Sequence, residues 1–397
     1  MSYLSLYRKY RPGTFSDVLG QDHVTETLSG ALREDRVSHA YVFSGPRGTG
    51  KTSTARILAR ALNCEQGPTP EPCGRCRPCI EIADGTSLDV YEMDAASHTS
   101  VDDVREIRER IPFASAGGAR KVYIIDEAHQ LSAAAFNALL KMLEEPPPHV
   151  VFVLCTTESH KLPATVVSRC QRFEFRRHTE QTISEHLARV AEAESIDADP
   201  DALALIARHA HGSMRDPLAL LEQASGSADG RVSRASVVEI LGDAPAEVLF
   251  ALSDAIASTE VTEVFRQVET MVSRGWDPRG VLRQLLEHFR SLFLVANGAT
   301  ELAEVPPEDE ARYREHAEAF TRAHLDWVMR VLGEAQADVR ASTHPRLSLE
   351  VTLARAACLQ SDEPGALSAR IERLERMLVN GAAAMPAAST PAVPPDV

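Results

Sequence analysis

The sequence predicts an α/β fold followed by an all-α region, and three observations carry that prediction. Between about Ala40 and Arg177, short β-rich runs alternate with helical stretches. Several of those runs are apolar almost throughout, as strands buried on both faces of a parallel sheet must be. Beyond residue 178 the β signal stops and helical periodicity takes over. Alternating β and α elements specify a doubly wound domain, and the helical remainder specifies an all-α region after it.

Taken in order, the strand candidates are AYVFSG (40–45), LDVYEMDA (88–95), KVYIIDEA (121–128), HVVFVLCTT (149–157) and QRFEFR (171–176). Between them, TARILARAL (54–62), VREIRERI (104–111) and AAFNALLKMLEE (134–145) place apolar residues at helical spacing. Further on, ISEHLARVAEA (183–193) and ALALIARHA (202–210) are helical, with Pro200 and Gly212 where a helix start and stop belong. A second helical block runs from Ala246 to Leu359 and includes VLRQLLEHFRSLFLV (281–295) and RLSLEVTLARAACL (346–359). From Ala366 comes one more amphipathic helix, and residues 382–397 are Ala/Pro-rich with the composition of a disordered linker. The expected domains are therefore 1–178, 179–243, 244–362 and 363–397.

Composition bounds the function. The 397 residues are 44% hydrophobic and 25% charged, the make-up of a soluble globular protein. The formal net charge of −15 argues against a wholly basic nucleic-acid coat. It is unevenly placed: up to Glu180 there are 22 basic and 23 acidic residues, and beyond it 20 and 34. The longest strongly apolar run, Val150–Cys155, is far short of a membrane span. The opening MSYLSLYRKYRP carries charge where a signal peptide would be apolar, so a cytoplasmic location is expected.

Residues 45–52 read GPRGTGKT, a full match to the P-loop pattern, directly after a strand and before a helix. Gly45, Pro46, Arg47, Gly48, Thr49 and Gly50 form a loop whose backbone N–H groups curl around phosphate oxygens, at the positive end of a helix. Lys51 is placed to reach the β- and γ-phosphates, and Thr52 to offer its hydroxyl to Mg²⁺. The third strand candidate ends in Asp126-Glu127, at the edge of an open sheet where ligands bind. Asp126 is the expected second Mg²⁺ residue and Glu127 the group that activates the attacking water. Both acids together imply ATP hydrolysis rather than nucleotide storage.

Three further residues admit two readings each. Thr157, at the tip of the fourth strand, is either a hydrogen-bond partner of the γ-phosphate or the attacking water, or an ordinary strand threonine. Arg169 follows a polar turn and is either half of a surface ion pair or a charge presented to a neighbouring subunit's ATP. In GSMRDPLALLEQA (212–224), Ser213 and Asp216 have capping-box spacing, and Arg215 in that first turn either reaches back to the γ-phosphate or stays outside. The stretch 94–107 offers small and hydroxyl residues for DNA phosphates, or equally a capped helix with Asp102 and Asp103 in its first turn.

Seven cysteines include Cys64, Cys73, Cys76 and Cys79 within sixteen residues. In a chain without an export signal this reads as a metal site, not a disulfide framework. Four thiolates suit tetrahedral, structural Zn²⁺; an iron–sulfur cluster is the rival. Cys155, Cys170 and Cys358 lie in apolar settings as core residues.

The opening YRKYRPGTFSDVLGQDHV, the P-loop, the four-cysteine insertion, DEAH (126–129), SRC (168–170) and GSMRD (212–216) occur in that order. Together, over about residues 3–360, they resemble the tau/gamma subunit family of bacterial DNA polymerase III. That resemblance implies an AAA+ ATPase domain, a helical lid and a helical collar through which five subunits assemble, with delta and delta-prime type partners. It implies a motor that loads the sliding clamp onto primer–template DNA when ATP is bound and releases it after hydrolysis. Arg169 matches the family's arginine finger, Thr157 its first sensor and Arg215 its second. Residues Tyr7 to Arg11 and Val18 to Gln21 resemble the adenine-side wall. Polymerase and helicase contacts are expected only through a longer C-terminal form. Two rivals differ in class. A polypeptide remodeller carries an aromatic pore loop where this chain has AASHTS (95–100), and a non-hydrolysing scaffold loses the residues that stand here as Lys51, Thr52 and Glu127.

Overall fold

The computed structural model describes residues 4–97, 120–226, 230–242, 244–303, 305, 309–358 and 364–383. They form two compact units, Met1–Val237 and Val238–Val397. The predicted helix at 104–111, most of the proposed DNA-contact stretch 94–107 and nearly all of the Ala/Pro-rich tail lie outside the described residues.

The first unit is built on five parallel strands: β1 (Ala40–Ser44), β2 (Val90–Asp94), β3 (Lys121–Asp126), β4 (Val150–Thr156) and β5 (Gln171–Glu174). Their order across the sheet is β2-β3-β4-β1-β5. Alternate residues serve opposite faces, as the pleat requires. Tyr41, Phe43, Val122, Ile124, Val151 and Val153 pack with Leu28 of α2 (Asp22–Arg33) and Ile57 of α3 (Lys51–Asn63). Val42, Tyr123, Ile125, Phe152 and Leu154 pack on the other face against Phe136 and Leu139. Those two belong to α5 (Ala133–Glu144), which follows α4 (Arg77–Asp84) in the chain; the short α1 (Leu6–Lys9) precedes α2. With helices on both faces the predicted doubly wound sheet is present.

The strands are shorter than the apolar runs suggested. β3 stops at Asp126 because Glu127 turns into the left-handed region at φ 46°. After the single turn α6 (Ala164–Val167) and β5 come the helices α7 (Glu180–Ala193), α8 (Pro200–His209), α9 (Arg215–Ser225) and α10 (Arg234–Leu241). Pro200 occupies the first turn of α8, as expected of a residue without an N–H. The β signal does not vanish altogether beyond residue 178: Asp197–Ala198 and Arg231–Val232 make a two-residue parallel pair.

The second unit is helical: α11 (Ala246–Ala257), α12 (Val261–Ser273), α13 (Pro278–Ala296), α14 (Glu310–Ala319), α15 (Arg322–Ala341), α16 (Pro345–Ala357) and α17 (Pro364–Ala383). Its core gathers Leu252, Val268, Leu285, Phe289, Trp327 and Leu353. Among the described residues, no helix is long and apolar enough to cross a membrane.

Candidate functional site

The register of the sheet decides which side chains meet. Ser44 lies beside Thr156 and Asp94 beside Asp126, so the loop after β1 and the tips of β2, β3 and β4 share one edge. That is the carboxyl edge, where open α/β sheets bind ligands. The loop Gly45–Gly50 leaves β1 there and enters α3, whose N-cap is Gly50. Glycine is required at two points by close approach. A Cβ on Gly45 would lie 2.3 Å from the Phe175 carbonyl oxygen, and one on Gly48 would lie 2.0 Å from Ser213 Oγ.

Lys51 is buried and folds over the loop, donating from Nζ to the carbonyls of Gly45 (2.8 Å) and Pro46 (2.6 Å). Burial pushes its ammonium below the usual lysine range, opposed by the nearby Cys155, Glu127 and Asp126. Thr49 Oγ1 donates to the Pro46 carbonyl at 2.9 Å and tightens the turn. Thr52 Oγ1 donates to Asp126 Oδ2 at 2.8 Å. The hydroxyl and carboxylate read from sequence as a Mg²⁺ pair are thus direct neighbours, and an oxygen donor set of this kind suits that hard cation. Glu127 follows, its N–H donating to Asp126 Oδ1 at 3.0 Å, and Thr157 Oγ1 donates to Glu127 Oε2 at 3.3 Å.

Thr49, Lys51, Thr52, Asp126 and Glu127 line a cleft of about 290 Å³ together with Tyr7, Tyr10, Arg11, Val18 and Leu19 from the N-terminal stretch and His178, His186 and Arg215; Thr157 is not part of that lining. Most of the stretch that resembles an adenine wall therefore faces the cleft. Gln21 does not: it is fully buried, and its side-chain amide exchanges hydrogen bonds with the backbone of Arg176 at 2.8 and 3.0 Å. Helix α1 is held by the lid. The Leu6 N–H donates to Glu222 at 3.2 Å, Lys9 pairs with Glu194 at 2.6 Å, and the Tyr10 hydroxyl bonds to the same carboxylate. Arg215 sits over the Tyr7 ring, 5.0 Å from its centre.

The capping box expected at Ser213 is not formed. The cap of α9 is Met214, and the Asp216 N–H reaches Ser213 Oγ only at 3.5 Å. Ser213 is instead pressed against Gly48, and the Met214 N–H donates to the Gly48 carbonyl at 2.9 Å. Only one of the two bonds of a capping box is therefore present, and it is long. Arg169 is away from the cleft of its own chain. Its guanidinium pairs with Glu144 at 2.8 Å and donates to the Thr165 carbonyl at 2.7 Å, with 36% of the side chain exposed.

At the far end of α3, Cys64, Cys73, Cys76 and Cys79 bring their four sulfurs within 4.8 Å of one another. The Cys73 N–H points to Cys64 Sγ at 3.5 Å and the Cys76 N–H to Cys73 Sγ at 3.3 Å. Backbone N–H groups of Arg75 and Cys76 draw the Cys73 thiol down to about 6, whereas burial pushes Cys79 up to about 12. Four converging sulfurs, with N–H groups that favour thiolate, fit a tetrahedral ion. Cys155 is buried as expected, and Cys170 and Cys358 are half-buried.

Comparison with known proteins gives the family. The tau subunit of DNA polymerase III from Bacillus subtilis is 39% identical over 99% of this chain and 72% of its own length. The chain belongs to the gamma/tau subunit family of DNA polymerase III. Three family models match in succession: the DNA polymerase III delta subunit over residues 20–179, the clamp loader subunit ATPase lid domain over 182–230, and gamma and tau domain III over 232–370. The gamma/tau subunit of Mycobacterium tuberculosis is 43% identical over 94% of this chain, which spans 66% of that relative. Among solved structures, the Thermotoga maritima RuvB branch migration motor is similar at 21% identity and a TM-score of 0.45, over 62% of this chain and 79% of that one. In this gamma/tau chain, then, the α/β unit carries the P-loop and is followed by an ATPase lid domain.

Several residues of the gamma/tau site were not read from the sequence. His129 places Nδ1 3.0 Å from Thr156 Oγ1, beside Glu127. Arg56 of α3 pairs with Glu92, midway along β2 and outside the cleft lining, through two bonds of 2.7 and 2.8 Å. His178 and His186 line the cleft, and burial holds both below the ordinary histidine range. His129 stands in the DEAH run and His178 just before a helix start, positions many inert residues share; His186 and Arg56 lie within helices and carried no local signal.

Proposed function

We propose that this chain is the ATP-hydrolysing motor subunit of the DNA polymerase III clamp loader. The observation that carries the reading is the convergence at one sheet edge of a complete P-loop, the Thr52–Asp126 pair, Glu127 and a lid helix hydrogen-bonded to the loop. The names borne by its relatives supply the context of clamp loading. On this reading the backbone of residues 45–50 binds the ATP phosphates, Lys51 neutralises the β- and γ-phosphates, and Thr52 with Asp126 hold Mg²⁺. Mg²⁺ bound there supplies charge neutralisation on the phosphate oxygens. Glu127 accepts the proton of the attacking water, and Thr157 orients the same carboxylate. Arg215, at the start of α9, couples the lid to the nucleotide. Arg169 acts on a neighbouring subunit's ATP, which suits an exposed guanidinium outside its own cleft.

Cys64, Cys73, Cys76 and Cys79 hold a structural Zn²⁺ that ties the loop after α3 to α4. The domains are 1–178 for the ATPase, 179–243 for the lid, 244–362 for a collar and 363–397 for a final helix and linker. Partners are delta and delta-prime type subunits in a five-membered ring, the sliding clamp and primer–template DNA, with polymerase and helicase reached through a longer form; the setting is the cytoplasm.

The test is steady-state ATP turnover of the chain assembled with loader partners and clamp, with and without primed DNA. Stimulation that needs both clamp and a primer junction is expected; turnover indifferent to both overturns the clamp-loading reading. Arg169→Ala in that assembly should leave ATP binding intact and cut turnover about 10³-fold, as loss of a trans-acting arginine does. Equal loss of binding would make Arg169 a purely structural partner of Glu144.

A further inference from the structure

We propose that His129 is a positioning residue that sets the carboxylate of Glu127, acting through a ring that Thr156 and Glu158 hold from opposite sides. The inference rests on the assignment of Glu127 as the base. Glu127 leaves β3 in the left-handed region, at φ 46°, so the strand no longer aims its side chain. Two methylene groups then separate the backbone bend, itself held by the Asp126 carboxylate and the Gln130 N–H, from the carboxylate that must meet a water. A base has to lie within about 3.2 Å of the atom it deprotonates, and a displacement of ~1 Å costs about 100-fold in rate. Something beyond the backbone must therefore fix it.

The side chains that do so come from the next turn and the next strand. His129 lies in the 3-10 turn Ala128–Gln130, with only 8% of its side chain exposed. Nδ1 is 3.0 Å from Thr156 Oγ1 and 3.5 Å from Glu127 Oε2; Nε2 is 3.4 Å from Glu158 Oε1. Thr156 is fully buried, and its Oγ1 also accepts the Glu158 N–H at 3.0 Å, so that hydroxyl is itself anchored to the backbone of the β4 end. A ring flip would exchange the nitrogens with carbon edges and leave polar atoms unpaired in a largely buried place, which is costly. The ring therefore has one arrangement, and Nδ1 is the edge it turns to Glu127. Thr157 donates to the same Oε2 at 3.3 Å, so the carboxylate is bracketed by one residue from each of two adjacent strand ends.

Two conservative variants separate the nitrogens. An asparagine side chain overlays Nδ1 and a glutamine overlays Nε2. In the assembled loader with clamp and primed DNA, His129→Ala should lower kcat about 100-fold, the cost of a misplaced base. KM for ATP and the melting temperature should stay close to wild type. His129→Asn should recover most of that loss and His129→Gln little of it. In a Glu127→Gln background, single-turnover hydrolysis should show no further loss from His129→Ala. Equal recovery by Asn and Gln, or an undiminished effect in the Glu127→Gln background, would overturn the positioning role. Should His129→Ala not fold, the near-isosteric Thr156→Val carries the test: about tenfold lower kcat at unchanged KM supports the proposal and unchanged kcat overturns it. Glu127→Gln alone reports on the reading underneath, since full turnover in that variant removes the base itself.

Discussion

Helix α3 carries a candidate site at each end, and the two are assembled in opposite ways. At its N-terminus the cleft draws on residues from Tyr7 to Leu218, brought together by sheet register and lid packing. At its C-terminus the cysteine cluster is complete within residues 64–79. At the cysteine end, the N–H groups of Cys73 and Cys76 point at sulfur, and on the proposed function the loop before Gly50 offers its N–H groups to phosphate oxygens. The difference teaches that a site's range in sequence, not its chemistry, decides what can disturb it. A closed local loop is insulated from the rest of the domain, whereas the cleft changes whenever sheet edge and lid shift relative to each other.

The sharpest way to break this comparison is a crossed pair of substitutions on the one helix. Lys51→Ala should weaken ATP binding about 1000-fold, the loss of two charge-assisted bonds to phosphate, with the melting temperature and metal content unchanged. Titration with a fluorescent ATP analogue, beside a metal assay, reads both. Cys76→Ser should do the reverse: metal content falls from one ion per chain toward zero, and the domain loses about 2 kcal/mol, or ~5 °C in melting temperature. ATP affinity should remain within twofold. A large loss of ATP binding in Cys76→Ser would show that α3 transmits strain between its ends and that neither site is insulated. Chelation of the wild-type protein should reproduce the thermal shift.

Tyr7→Ala sharpens the comparison at its weakest contact. The stacking of Arg215 on the half-buried Tyr7 contributes about 0.5–1 kcal/mol, so nucleotide affinity should drop about two- to fivefold. An effect confined to ATP, with ADP binding unmoved, would tie Arg215 to the γ-phosphate. Equal weakening of both would assign Tyr7 to the base alone.

Much of this architecture is legible from residue order, for identifiable reasons. The P-loop has a fixed length between strand and helix, and the cysteine spacing closes on itself, so neither needs tertiary information. Asp126-Glu127 is readable because an apolar run of β3 ends there. His129 is not, because its partners Thr156 and Glu158 stand at the end of β4, and only the strand order places that end beside β3. The cap of α9 departs from its local signature: Ser213 and Asp216 satisfy the spacing rule, but only one long bond of the box is present. Glu127 shows the limit of periodicity at strand ends, since an apolar run says nothing of a left-handed residue just beyond it. The exposed Arg169 could be placed near the surface from its polar surroundings, yet its pairing with Glu144 on another helix could not.

The attachment of α1 has a practical consequence. Residues 6–10 are fastened to α7 and α9 by Glu194, Glu222 and Arg215, whereas Gly13 is held by Arg60 of α3 and Phe15 lies in the sheet core. Arg11 and Pro12 are the short span between those two anchorages. A reporter dye at the exposed Leu4 therefore rides with the lid, although it is far from the lid helices in sequence. Paired with a second dye on α5, it makes a ruler for cleft opening that touches neither nucleotide nor metal.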